Sequence, residues 1–292
     1  MRFDIAAMAR RALNGRKPRR PKVILRPIEP TAVMAGDLYA AAYKPVIQAW
    51  QQAITMIGAR YEAALPVRDA FPKSGGNYAN PMHDAVFDLD SILAAIEGSL
   101  EQLVISVTPR LREWSLSAER WHRNRWSGAI LAGTGIDPRT MLGPSDVNDT
   151  VQAFVSRNVQ LIRSVSDDTR AKVSDIVLRG YASRIPLRQV AKEMSEAVAF
   201  SRKRALRIAS DQNSKLAGRL DQARQEQAGI SQFAYHHGAP MHPRKWHAAR
   251  NGKIYEWDTL HQVDGPDQID PTDAPSIPPF CTCRTRAVID LS

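Results

Sequence analysis

The side chains best suited to chemistry gather near the end of the 292-residue chain: His236, His237, His242, His247, His261, Cys281 and Cys283. Histidine and cysteine are the donors that hold zinc, with tetrahedral ligation by four side chains expected at a structural site. His242 and His247 have four residues between them, and Cys281 and Cys283 form a C-x-C pair. A His242/His247/Cys281/Cys283 set would make zinc the cofactor and would staple a small module with little core of its own. Two facts weigh the other way: C-x-C is not the usual knuckle spacing, and no C-x-x-C accompanies it. The competing reading is a pair of reduced cysteines packed in a strand beside exposed histidines. A cysteine with His247 as its base could also form a nucleophilic thiolate pair, but no third, orienting residue is identifiable from the sequence. G-x-S-x-G, P-loop and H-E-x-x-H motifs are absent. Asp264, Asp267, Asp270 and Asp273 recur every three residues without an EF-hand's glycine and glutamate, and read as solvated acids.

The rest of the composition bounds the setting. Cys281 and Cys283 are the only cysteines, so no disulfide can tie distant segments, which fits a reducing compartment. No run approaches the roughly 18 apolar residues of a membrane span, and no signal-peptide core follows the N-terminus; a cytoplasmic protein with no membrane partner is expected. The net charge is +10, and basic residues crowd the start of the chain. Arg10, Arg11, Arg16, Lys17, Arg19 and Arg20 form a candidate contact for double-stranded DNA through counterion release. The alternative is a solvated tail. No folded nucleic-acid module is recognisable.

The elements that must position these residues are mostly helical. Residues 1–30 read as an extended basic arm, because Pro18, Pro21, Pro27 and Pro30 remove backbone donors; a short strand fits 22–25. Apolar residues at helical spacing predict a helix over 31–65, kinked at Pro45, a loop over 66–82, and a helix over 82–105 that Pro109 ends. The next helix, 110–132, carries Trp114, Trp121 and Trp126 among arginines. Those tryptophans are core or interface anchors, or they stack on nucleic acid. A turn-rich joint at 133–144 is the internal boundary. Helices follow from about 146 to 162 and from 168 to 179, then a long helix or helix pair ends at Gly229. Beyond it the texture turns to strands: 230–236, a hairpin signalled by Asn251-Gly252 within 246–257, an irregular Asp/Pro loop at 264–280, and a last strand at 281–289. The expectation is an α+β protein: arm 1–30, helical domain 31–140, helical region 141–229 and a small C-terminal β-containing module 230–292.

Several motifs then fall in one order. Phe154, Asn158, Leu161 and Ile162 precede Arg204, Ala205, Ile208, Ala209, Asp211, Gln212, Lys215 and Leu216. Pro243, Arg244, His247, Asn251, Gly252 and Lys253 come next, and Pro278-Pro279-x-Cys281-x-Cys283-Arg284 closes the series. From about residue 151 onward the chain resembles the phage Mu protein F-like head-morphogenesis family. The sequence departs from many relatives in having His242-Pro-Arg-Lys-Trp-His247 where they carry C-x-x-C, and Asn251 where they often carry Asp. The resemblance implies a minor capsid protein of a tailed phage or prophage, found in the virion head and, during assembly, in the host cytoplasm. It implies portal, major capsid or scaffolding protein as partners, and no enzymatic activity. Two other functions compete: a DNA-binding protein using the arm, and a toxin-type enzyme such as an ADP-ribosyltransferase, against which stands the lack of E-x-E in the module.

Overall fold

The structure, a computed structural model, describes residues 3–18, 20–64, 81–238 and 243–292. Its elements in chain order are α1 (Ile5–Ala12), β1 (Lys22–Ile24), α2 (Ala32–Leu38), a π-helical turn (Tyr39–Tyr43), α3 (Lys44–Ala64), α4 (Pro81–Thr134), α5 (Asn148–Ser183), α6 (Leu187–Gln227), β2 (Gln232–His236), α7 (Lys245–Ala249), β3 (Ile254–Glu256) and β4 (Arg284–Asp290). The α+β expectation, a mainly helical body with a small sheet, holds. Two compact units emerge, and neither is one continuous stretch. The first comprises Met1–Gly36, Arg112–Ser156 and Ser210–Ser292; the second comprises Asp37–Leu111 and Arg157–Ala209. The joint expected at 133–144 lies inside the first.

Several helices are longer than the sequence suggests. Pro109 does not end α4, which runs on for 54 residues. Val104, Val107 and Leu111 are buried on both sides of the proline. The Thr108 hydroxyl donates to the Val104 carbonyl at 2.8 Å, one of the ways a helix tolerates disturbance of its ladder. Packing outweighs the proline penalty there. Asp167 and Asp168 likewise sit within a continuous α5, where Asp168 pairs with Lys172 one turn on. Near Pro45 the helix widens into the π turn, whose Lys44 N–H reaches the Tyr39 carbonyl. The loop expected over 66–82 lies almost wholly outside the described residues.

The second unit is sewn by buried polar groups. Tyr43 Oη donates to Asn158 Oδ1 at 2.8 Å, Trp50 Nε1 to Ser166 Oγ at 3.0 Å, and Tyr61 Oη to the Ile185 carbonyl at 2.6 Å. These bonds fix the π turn and α3 against α5 and the turn after it. Gly180 lets them close: a Cβ there would lie 2.9 Å from both Tyr61 Oη and a Val190 methyl. Part of α4, Ser91–Thr134, is long and apolar enough to cross a membrane by length and composition. Its two charged residues nearest the start, Glu97 and Glu101, pair with Arg170 and Arg163 of α5, and 22% of its apolar window is buried.

In the first unit, the segment read as an extended arm is partly ordered. Ile5–Ala12 is a helix, not extended chain: Asp4 caps it by accepting from Ala7 N, and Arg10 and Arg11 sit in its last turn, where the dipole favours cations. Ile5 and Ala9 are buried among Leu25, Trp126, Ile130 and Ile230. The prolines that suggested an arm all follow this helix. Trp126 is 2% exposed, and Trp114 stacks on Phe154 while donating to the Met34 carbonyl. Both are anchors, as the core reading of the tryptophans expected.

The sheet is antiparallel in order β1-β4-β2-β3. Val23 pairs with Ile289, Phe233 with Ala287 and Tyr255. Asn251-Gly252 does not join two strands. It ends α7 and turns the chain into β3, with Gly252 at φ 82° and its N–H donating to the Tyr235 carbonyl. A short helix, α7, precedes the turn and carries the buried His247.

Candidate metal centre

The site is built on the last strand and the loops around it. Beneath the sheet, Phe233, Tyr235, Tyr255, Ile269, Cys281 and Cys283 form one apolar cluster. α7 turns His247 into it until only 2% of the residue is exposed. His247 Nδ1 lies 3.5 Å from Cys283 Sγ and 3.7 Å from Cys281 Sγ. The three donor atoms fall within 4.8 Å of one another. The opposite ring nitrogen, Nε2, lies 2.9 Å from Asp273 Oδ1.

Asp273 is itself held. Its other oxygen accepts from Arg250 at 2.9 Å and from Trp246 Nε1 at 3.0 Å. Arg250 also reaches Asp267 at 3.0 Å, and the Tyr255 hydroxyl donates to the same Asp267 oxygen at 2.7 Å. Two of the four regularly spaced aspartates are therefore structural, and reading them all as solvated acids is wrong for Asp267 and Asp273. Their partner Arg250, between α7 and the Asn-Gly turn, could not be paired with them from spacing alone.

The backbone of the C-x-C is clamped from α6. Ser214 Oγ donates to the Cys281 carbonyl at 3.1 Å and Ser276 Oγ to the Cys283 carbonyl at 2.8 Å. The buried Arg284 guanidinium donates to both hydroxyls, at 2.8 Å to Ser214 and 2.7 Å to Ser276. Asp211 accepts from the Phe280 N–H, and Lys215 neutralises that carboxylate at 2.8 Å, with Gln212 donating to it as well. Arg244 donates to the Pro279 carbonyl at 3.1 Å. Gly238 must be glycine for this packing: a Cβ would stand 2.3 Å from the Thr282 carbonyl oxygen.

The thiols are unequal. The bond shared with Cys281 pulls Cys283 down against the opposing effect of burial, with help from the Tyr235 hydroxyl, the Gly238 N–H and the Arg284 charge. The same bond, then burial, pushes Cys281 up. Asp273 lies below the ordinary carboxylate range: burial works to raise it, but the bonds from His247, Arg250 and Trp246 outweigh that.

The structure thus brings three of the four expected ligands together: His247, Cys281 and Cys283. His242 lies outside the described residues. His236 instead faces Glu29 at 3.2 Å. The line Cys283–His247–Asp273 also supplies the third, orienting residue that a thiolate nucleophile needs. Cys281 and Cys283 are, however, 2% and 1% exposed, a burial that disfavours attack by either sulfur on an outside substrate. Two sulfurs converging on one ring nitrogen suit a metal's donor set.

Residues 171–286 match the family described as phage Mu protein F like protein. This segment is a Mu F-like region. It opens inside α5 and ends inside β4, so it takes in all of α6, α7 and the whole Asp211–Arg284 clamp. An uncharacterised protein of Haemophilus influenzae is 32% identical over 125 residues, covering 42% of this chain and 28% of that relative. The chain thus spans well under half the length of that curated relative. No solved structure matches the chain. Within the Mu F-like region, the motif residues do related work: Asp211, Lys215, Arg244, Pro279 and Arg284 meet around the C-x-C, while Arg204 serves the second unit by donating to the Ser164 carbonyl at 3.2 Å.

Proposed function

We propose that this chain is a head-morphogenesis protein of a tailed phage or prophage. In this reading it is a minor capsid component that acts in procapsid assembly, docks on portal, scaffolding or major capsid protein, and resides in the virion head. The observation that carries the reading is the Mu F-like region at 171–286. Its C-terminal part is a module stiffened by partly buried ion pairs and hydrogen bonds around buried sulfurs, which supports a structural role over catalysis.

A DNA contact belongs to the same reading. Arg10, Arg11, Arg16, Lys17 and Arg20 are exposed, and Arg19 lies outside the described residues. Arg10 reaches the Asp290 carbonyl at 3.0 Å, so part of this basic cluster is presented from a fixed platform and not from a loose tail. Packaged DNA inside a head would be its target.

Quantitative mass spectrometry of purified virions and empty heads tests the assignment. A few copies per particle in both is the expected result, and enrichment in filled heads goes with the DNA-facing version. Absence from every particle, with abundant protein in the lysate, would overturn it as a capsid component.

A further inference from the structure

We propose that His247, Cys281 and Cys283 bind a zinc ion that fastens the strand-β4 approach to α7 and closes the module. Four observations carry this. First, the donor set is two thiols and one imidazole, the soft-to-borderline combination that favours zinc over the hard cations. Second, the spacing is that of an ion's coordination edges. With bonds of about 2.3 Å to sulfur and 2.0 Å to nitrogen, a tetrahedral ion separates the two donors by roughly 3.5 Å; the observed separations are 3.5 and 3.7 Å.

Third, the nitrogen turned to the sulfurs is backed on the far side of the ring by the Asp273 carboxylate at 2.9 Å. A carboxylate accepting the other ring N–H fixes the tautomer so that Nδ1 presents its lone pair to the ion, the usual outer partner of a zinc histidine. Asp273 is in turn gripped by Arg250 and Trp246, so the ligand is oriented before the ion arrives. Fourth, the carbonyls of both cysteines are held by Ser214 and Ser276, which Arg284 bridges. The sulfurs are thereby aimed at one point by a frame that does not depend on the ion. Binding displaces the thiol protons, and three protein ligands leave one tetrahedral position for a further donor.

The test uses the full-length chain, purified without chelator. Elemental analysis should find about one zinc ion per chain, released when the thiols are alkylated. Replacement by cobalt should give thiolate-to-metal charge transfer and the intense ligand-field bands of a tetrahedral ion. Cys281→Ser with Cys283→Ser should abolish both signals. Because that variant could fail to fold, Asp273→Asn supplies a milder probe: its zinc affinity, measured by competition with a chromophoric chelator, should fall about 10- to 100-fold. Folded full-length protein that carries no zinc and gives no cobalt–thiolate band on titration would overturn the proposal. So would zinc that survives unchanged in both variants, since the ion would then sit elsewhere.

Discussion

The Asp211 carboxylate in α6 accepts the backbone N–H of Phe280 at 2.6 Å, at a point where Phe280 adopts a left-handed φ of 58°. A non-glycine residue holds such a conformation only when its surroundings fix it. The next residue is Cys281, so one helix carboxylate decides where the C-x-C begins.

Asp211→Ala should therefore lower stability by about 2–3 kcal/mol, the scale of a lost hydrogen bond to a charged group. Asp211→Asn should recover part of this, because an amide oxygen still accepts from Phe280 while the pairing with Lys215 is lost. Urea midpoints of the three proteins check the order. Equal midpoints would mean that the Phe280 turn is held by other contacts.

Arg224 and Glu119 meet at 2.6 Å with 0% and 1% of their side chains exposed. Burial pulls the guanidinium down and the Glu119 charge pulls it back up. Removing one partner strands the other charge in the core, at a cost of about 3–5 kcal/mol. Glu119→Ala should show that loss. Glu119→Met with Arg224→Met should be much less damaging than the sum of the single variants, and a double-mutant cycle on denaturation free energies reads the difference.

Much of this architecture is legible in the sequence, and the illegible parts share a cause. The strand at β1 and the Gly229 stop follow from local chemistry, because prolines and glycines constrain their own backbone. His247, Cys281 and Cys283 stand out by residue type alone. Pro109 misleads because Val107 and Leu111 are buried around it, a fact set by partners distant in sequence. Asp273 and Asp267 look alike in a spacing pattern with Asp264 and Asp270, yet only the first two meet Arg250. Side-chain pairing across a fold leaves no local signature, so Ser214, Ser276 and Arg250 escape a reading by motif.

Acid should weaken the protein through specific carboxylates. Asp146 and Asp267 both lie below the usual range. Burial acts to raise each, but the Gly143 N–H and Gln227 hold Asp146 down, and Tyr255 and Arg250 hold Asp267 down. A depressed folded value means that the contribution is complete above the unfolded value of about 3.9 and is lost as pH falls through the lower folded values. Thermal midpoints should thus be flat from neutral pH to about 5 and drop below about 4. Asp267→Asn should shrink that acid drop, and a curve identical to the parent's would remove Asp267 from the account.

DNA contact by the basic N-terminal segment needs a test that spares the fold. Deleting residues 1–26 would take away α1 and β1, and with them the buried Ile5 and Leu25. Replacing Arg11, Arg16, Lys17 and Arg20 with glutamine keeps both elements and removes four exposed charges. The expected result is an unchanged thermal midpoint, weaker binding to double-stranded DNA and a salt dependence shallower by up to about four phosphate contacts. An unchanged slope would take this segment out of the interaction.

The pairing of β1 with β4 also sets a timetable for synthesis. Val23 is translated before its partner Ile289, which is added some 266 residues later. Every residue of the second unit, ending at Ala209, is translated before the Mu F-like module is finished. The helical unit can therefore settle while the nascent chain is still growing, whereas β1 must wait, unpaired, for the last strand to emerge. Until then its hydrogen-bonding edge is open to other chains, a hazard that pairing with β4 removes.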